Sequence, residues 1–383
     1  MRDRFANGST ISENGHPGKK FDFCISNPPF GTPWKADLEN WGLKPTEKKK
    51  IQDPRFYWPD SDKSFIPDIG DPQMLFLANN VSRMRDEGQG TRIVEIHNGS
   101  SLFTGNAGGG ESNLRRYIIE NDMLEAIIAM PLNMFYNTGI GTFVWIVTNR
   151  KEERRRGKVQ LIDATNISAP LRKNLGNKNC EITEEGRKEI LKLLNDFQPT
   201  EQSKIFDNRE FGYWQIVVQR PLRLRVVTDV DWDAVTLKDA EKATCMAAVE
   251  NVPAGTPLDD WDSYAKLLKL KKTLLKRLRP FITVTDPAAK AVEGEADPRL
   301  KDTEQVPLLY TGGISAFMRN EVLPYAPDAY VDEEATVIGY ELSFTKYFYK
   351  PVQLRSIADI KADIRAIEKN IDGLLEGILS DRC

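Results

Sequence analysis

The apolar run Phe21-Asp22-Phe23-Cys24-Ile25-Ser26 ends without transition at Asn27-Pro28-Pro29-Phe30. Two consecutive prolines fix φ twice and remove two backbone donors, so no paired strand continues past Ser26. The pattern predicts a buried strand over 21–26 that stops in a rigid loop, with carbonyls facing outward and unpaired by local amides. In open α/β sheets, ligands bind beyond such strand ends.

Strands and helices alternate through the next 120 residues or so. Residues 31–70 hold Trp34, Trp41 and Trp58, many prolines and Lys48-Lys49-Lys50, without periodicity, and read as a long loop or lid. Asp71-Pro72 supplies an N-cap and a first-turn proline. Met74, Leu75, Ala78, Val81 and Met84 then recur at helical spacing until Gly88 and Gly90. A strand is predicted over 91–96, a helix from Ser112 to about Glu120, and strands over 124–130 and 141–148. This order predicts an α/β doubly wound sheet, with the last two strands, joined by a short loop, pairing antiparallel.

Beyond Asn149 the character changes. A charged connection, Arg150 to Arg156, leads to a strand over 159–162, and a domain boundary is expected near 165. The predicted organisation is 1–165, an α/β domain; 166–350, a mixed, mostly helical accessory region; and 351–383, a coiled-coil-like helix. Within the accessory region, a helix over about 183–197 and a strand over 212–218 are expected. A second helix over 262–279 carries Leu267, Leu270, Leu274 and Leu278 on one face, lysines around them, and Pro280 at its end. The terminal helix opens on Ser356-x-x-Asp359, a capping-box pattern. Its Ile357, Ile360, Ile364, Ile367, Ile371, Leu374 and Ile378 recur at alternating intervals of 3 and 4, the period of a coiled-coil seam.

Composition excludes several classes. With 53 Lys and Arg against 56 Asp and Glu, the net charge of -3 argues against nucleic-acid binding by bulk charge, though not against local basic patches. Cys24, Cys180, Cys245 and Cys383 are too far apart for a zinc or redox pair and read as reduced thiols. No stretch is long and apolar enough to span a membrane, and the first twenty residues hold no apolar run, so a cytoplasmic location is expected.

The Asn27–Phe30 segment carries the chemistry. An exocyclic amino group on a nucleobase has two hydrogens to donate. The Asn27 side-chain oxygen and the Pro28 carbonyl can each accept one, turning the nitrogen lone pair toward an incoming electrophile. Phe30 offers a planar face for the base to stack on. A base handled this way must first leave the helical stack. The alternative is that Asn-Pro-Pro is only a loop after a strand.

Residues 21–31 resemble motif IV of the amino methyltransferases that act on adenine N6. Asn98-Gly99-Ser100-Ser101-Leu102-Phe103, Gly110 to Arg116, Ala129-Met130-Pro131 and Met134 to Ile140 are similar to the modification (M) subunit of type I restriction-modification systems. Ala329 to Asp332, Gly339-Tyr340-Glu341, Phe344 and Tyr347-Phe348-Tyr349 resemble that family's closing region.

The resemblance implies a partial class I methyltransferase (Rossmann-like) sheet with an antiparallel last strand. It also implies S-adenosylmethionine as methyl donor, with double-stranded DNA, a specificity subunit, a second modification subunit and possibly a restriction subunit as partners. Asn27, Pro28, Pro29 and Phe30 would hold the target adenine, and Phe135 would stack on its other face; for Phe135 an ordinary core role is the alternative.

The family's glycine-rich methyl-donor turn precedes motif IV, and no G-x-G stands before Phe21, so no cofactor-binding residue is assigned. A chain cut short at its amino end is expected, with an apolar sheet edge exposed, weak S-adenosylmethionine binding and no activity in isolation. The competing reading is a non-catalytic DNA-binding or assembly module of the same complex.

Other candidates are weaker. Gly105 to Ser112 has the glycine spacing of a phosphate-binding loop, but Glu111 stands where lysine is needed, so a mobile loop near the site mouth is expected. His97 reads as a satisfied residue at a strand end, and neither histidine has metal-ligand spacing. The lysine-rich helix at 262–279 is either a DNA contact or a solvated face.

Overall fold

A computed structural model describes residues 9–29, 31–136, 138–349 and 356–380. Phe30 and Cys383 lie outside the described residues. The chain divides into two units, Met1–Ser343 and Phe344–Cys383.

In the first unit, β1 (Phe23–Ser26) leads through α1 (Lys35–Asn40) and α2 (Gln73–Val81) to β2 (Arg92–Asn98). Next come α3 (Gly110–Glu120), β3 (Leu124–Ala129), β4 (Thr142–Thr148) and β5 (Lys158–Asp163). After them stand the hairpin β6 (Ala169–Leu175) and β7 (Lys178–Glu181), then α4 (Glu184–Asp196) and β8 (Ser203–Asp207).

Six of these strands form one sheet in the order β1-β2-β4-β3-β5-β8. β1 and β2 are parallel, as are β3 and β5. β4 runs antiparallel to both β2 and β3, as expected for the last pair, and is inserted between them. Its sequence, Thr-Phe-Val-Trp-Ile-Val-Thr, carries no charge and suits a central position, with Trp145 fully buried. The carboxyl ends of β1, β2, β3 and β5 therefore share one edge of the sheet. The boundary expected near 165 falls between β5 and β8, two strands that pair antiparallel in this same sheet.

Several expectations are corrected. The strand at 21–26 is not buried, as its pattern alone suggested, but is the exposed apolar edge that the resemblance implied: it is an edge strand among the described residues, with Phe23 73% and Ile25 82% exposed and only Cys24 packed inside. Residues 31–70 are not a loose lid, because Trp34, Leu38, Ile51, Phe56, Phe65 and Ile66 are buried. They escape periodicity because the elements are short: α1 buries only Leu38 as an apolar side chain, the 3-10 turn Pro54–Phe56 only Phe56, and the turn Pro45–Lys50 none.

The glycine-rich segment at 105–110 is wedged rather than mobile. A Cβ on Gly110 would meet the Ile66 carbonyl oxygen at 2.0 Å, and buried Glu111 accepts the Asp68 amide at 2.8 Å. The carboxylate that spoils a phosphate loop is a structural acceptor here.

The rest of the first unit is mixed. β9 (Gly212–Gln219), β10 (Pro221–Val226), α5 (Asp239–Glu250), α6 (Trp261–Leu268), α7 (Lys272–Ile282), β11 (Thr283–Thr285), β12 (Ala291–Ala296), β13 (Asp302–Pro307), α8 (Gly313–Phe317) and β14 (Tyr330–Tyr340) form two further sheets, β11-β10-β12 and β13-β9-β14. The single helix expected over 262–279 is two. Lys269, left-handed at φ 46°, ends α6, and α7 carries Pro280 inside its last turn. The break lets both helices turn Trp261, Tyr264, Leu268, Leu278 and Ile282 into one core with Leu222, Leu224 and Val226.

β14 packs against α3. Buried Arg115 on α3 donates to the carbonyls of Tyr340 (2.7 Å), Ser101 (3.0 Å) and Thr104 (2.8 Å). The Leu342 amide donates to the Leu102 carbonyl at 2.9 Å. In the second unit, α9 (Phe344–Phe348) precedes α10 (Ile357–Ser380), where Asp359 N donates to Ser356 Oγ at 3.1 Å, the expected cap.

Candidate active site

Asn27 leaves β1 at the carboxyl edge of the sheet. It is exposed, Pro28 is buried and Pro29 is exposed, so the turn is anchored through its first proline. Neither the Asn27 side chain nor the Pro28 carbonyl is engaged in a hydrogen bond among the described residues. Two consecutive residues at the strand end therefore each carry an acceptor with no hydrogen bond among the described residues, and acceptors of this kind can receive the hydrogens of a base amino group. Phe30, the stacking partner assigned from sequence, lies outside the described residues.

β2 lies behind this turn, and its register pairs Ser26 with Glu95. Ser26 Oγ donates to Glu95 Oε2 at 2.8 Å, and Asn80 Nδ2 on α2 donates to the same oxygen at 2.6 Å and to Ser26 Oγ at 3.0 Å. His97 Nε2 meets Glu95 Oε1 at 3.1 Å. Glu95 and His97 are fully buried, and the imidazole stacks on Trp145 with centroids 5.3 Å apart. His97 is thus only half satisfied, because its Nδ1 has no partner. This network was missed from the sequence alone. Its signal is two ionisable residues, 95 and 97, on one face of a strand that otherwise carries Ile93, Val94 and Ile96 between polar ends.

Cys24 shares that buried face. Burial first, then the nearby Glu95 carboxylate, raises its thiol above the ordinary range, so it is a packed residue and not a nucleophile. Cys24, Cys180 and Cys245 are free thiols.

A second polar cluster holds the end of β2. Gln73, buried at the start of α2, donates to Asn98 Oδ1 (2.8 Å) and Ser100 Oγ (2.7 Å) and accepts the Asn98 amide (3.0 Å). Ser100 Oγ in turn donates to Asp71 at 2.8 Å. These bonds fix the 3-10 turn Gly99–Leu102 beside the mouth of the site.

Phe135 is half-buried in the loop joining β3 to β4, on the same sheet edge as Asn27. Asn179 N donates to Asn133 O at 3.1 Å and Cys180 Sγ to Leu132 O at 3.2 Å, so the β6–β7 hairpin buttresses that loop. Phe103, Leu132, Tyr136 and Ile140 are exposed on the loops at this edge.

A family model for N-6 DNA methylases matches residues 2–212. The chain belongs to the N-6 DNA methylase family. Among its relatives, the type I restriction enzyme MjaIX methylase subunit of Methanocaldococcus jannaschii is 28% identical over 198 residues, covering 51% of this chain and 31% of that protein. The HindI methylase subunit of Haemophilus influenzae is 27% identical over 161 residues, 42% of this chain and 31% of that protein. The chain thus spans about a third of the length of these curated relatives. A type I restriction-modification methyltransferase subunit from Streptococcus thermophilus, 22% identical, has a TM-score of 0.42 over 54% of this chain and 39% of that one.

No described residue is assigned to S-adenosylmethionine. The resemblance assigns its adenosyl group to a glycine-rich turn and an acidic residue on strands beside β1. Among residues 9–22 there is no strand and no G-x-G, and β1 is the described edge of the sheet, with Phe23 and Ile25 exposed. Among the described residues, no group of three or more His, Cys, Asp or Glu is placed to hold a metal ion, and no helix is long and apolar enough to cross a membrane.

Proposed function

We propose that the chain supplies the base-holding part of a DNA adenine-N6 methyltransferase, as the methylase subunit of a type I restriction-modification system. The observation that carries this reading is the pair of unengaged acceptors, Asn27 Oδ1 and Pro28 O, on a proline-fixed turn within the family-matched residues. The two acceptors take the amino hydrogens of an extruded adenine and leave the nitrogen lone pair free. Phe30 and Phe135 stack on the two faces of the base, and the exposed apolar residues around Phe135 exclude water as it enters.

S-adenosylmethionine is the methyl source in this reading, held by residues other than those described. Double-stranded DNA is the substrate. A specificity subunit, which reads the target sequence, a second modification subunit and a restriction subunit are the partners, with the exposed isoleucine seam of α10 as the contact.

The test is to incubate the complete methylase assembly with duplex DNA and S-adenosylmethionine, digest the DNA and identify the modified nucleoside by mass spectrometry. N6-methyladenosine in its deoxy form supports the reading; methylcytosine, or no modified base, refutes it.

A further inference from the structure

Glu95 is a buried carboxylate with no direct part in holding the base. Its partners are the Ser26 hydroxyl, the Asn80 amide and the His97 ring nitrogen. Ser26 Oγ also receives Asn80 Nδ2 at 3.0 Å, so its own hydrogen is directed at Glu95. Ser26 and Asn80 both donate to Glu95 Oε2, and the His97 ring nitrogen faces Oε1, so both carboxyl oxygens are held in place.

The consequence falls on the next residue in the chain. Asn27 has no hydrogen-bond partner of its own among the described residues, so its placement is inherited from its neighbours. On one side is Pro28, buried and fixed in φ. On the other is Ser26, whose side chain would be free to rotate at an edge strand without Glu95. The carboxylate fastens that side chain to β2 at the last paired position of the register, immediately before the chain turns outward. Asn80 adds a third anchor, from α2.

We infer that Glu95 is a positioning residue for the base-holding turn, acting through Ser26 on the orientation of Asn27 and Pro28, with Asn80 and His97 holding the carboxylate in place. This rests on the proposed adenine-methylating function. Because Glu95 bonds to Ser26, Asn80 and His97 and not to Asn27 or Pro28, its loss misaligns the acceptors without removing any of them, and an ångström of misplacement costs on the order of a hundredfold in rate.

The experiment measures kcat and KM for DNA in the complete methylase assembly, with melting temperatures of each variant chain. Ser26→Ala removes one hydroxyl and is expected to keep the wild-type melting temperature and KM while lowering kcat about tenfold. Glu95→Ala is expected to lower kcat about a hundredfold, and Glu95→Gln, which still offers Ser26 an oxygen, to recover most of that loss. Wild-type kcat in Ser26→Ala, or equal impairment of Glu95→Gln and Glu95→Ala, overturns the inference. Failure of the wild-type assembly to make N6-methyladenine overturns the proposed function itself, and this inference with it.

Discussion

Arg115 Nε donates to the carbonyl oxygen of Tyr340 at 2.7 Å, joining residues 225 apart in sequence. The same guanidinium holds the Ser101 and Thr104 carbonyls, so one side chain ties the end of β14 to the turn after β2. Burial pushes the Arg115 guanidinium down to about 10, still charged at neutral pH. Arg115→Ala strands three carbonyls and is expected to destabilise the chain by about 3 kcal/mol or more. Urea denaturation of wild type and variant measures it; a loss below about 1 kcal/mol contradicts the clamp.

Gly110 has no room for a side chain. An added Cβ would meet backbone atoms of Ile66 at 2.0 to 2.8 Å, so Gly110→Ala is expected to cost about 3 kcal/mol by overpacking. Gly88, at φ +63° with open space around it, is the control: Gly88→Ala strains only the backbone and costs about 1 kcal/mol. Equal losses in chemical denaturation would mean that the wedge is not real.

How much of this was legible in the sequence depends on range. Proline chemistry ends β1 at Ser26 wherever the strand lies in the sheet, and apolar runs with glycine breaks locate β2, β3 and β4. An apolar run looks the same at an edge as in the centre, so the exposure of Phe23 and Ile25 was legible only through the resemblance, which implied an exposed apolar sheet edge. Lys269 carries no helix-breaking signal, so the split between α6 and α7 comes from packing Trp261 and Leu278 into one core. Ser26, Asn80, Glu95 and His97 form a site network only through the parallel register of β1 and β2, which pairs residues 69 apart.

Acid should act on the α6 cap. Asp260 is held down to about 2, first by the hydrogen bond from Lys290 Nζ at 2.8 Å, then by the Ser263 amide at 3.2 Å. A carboxyl depressed in the folded state stabilises it above the ordinary carboxylate value, near 4, and loses that contribution as pH falls toward 2. The melting-temperature gap between wild type and Asp260→Asn should therefore be full above about pH 4 and vanish near pH 2. A gap that is constant over this window would contradict the assignment.

The α10 seam carries the partner prediction. Ile357, Ile360, Ile364, Ile367 and Ile371 are all exposed at coiled-coil spacing. Ile364→Lys with Ile367→Lys should weaken association with the specificity subunit by more than about a hundredfold. The melting of the first unit should stay unchanged. Undiminished co-elution on gel filtration would rule the seam out as the contact.

The central claim is that Asn27 holds the amino group of the target base. In the complete methylase assembly, Asn27→Ala removes one free acceptor from an exposed position, so the melting temperature should stay within about 1 °C of wild type. The methylation rate should fall by at least about a hundredfold. Methylation of adenine at a near wild-type rate by a folded Asn27→Ala assembly would contradict the account.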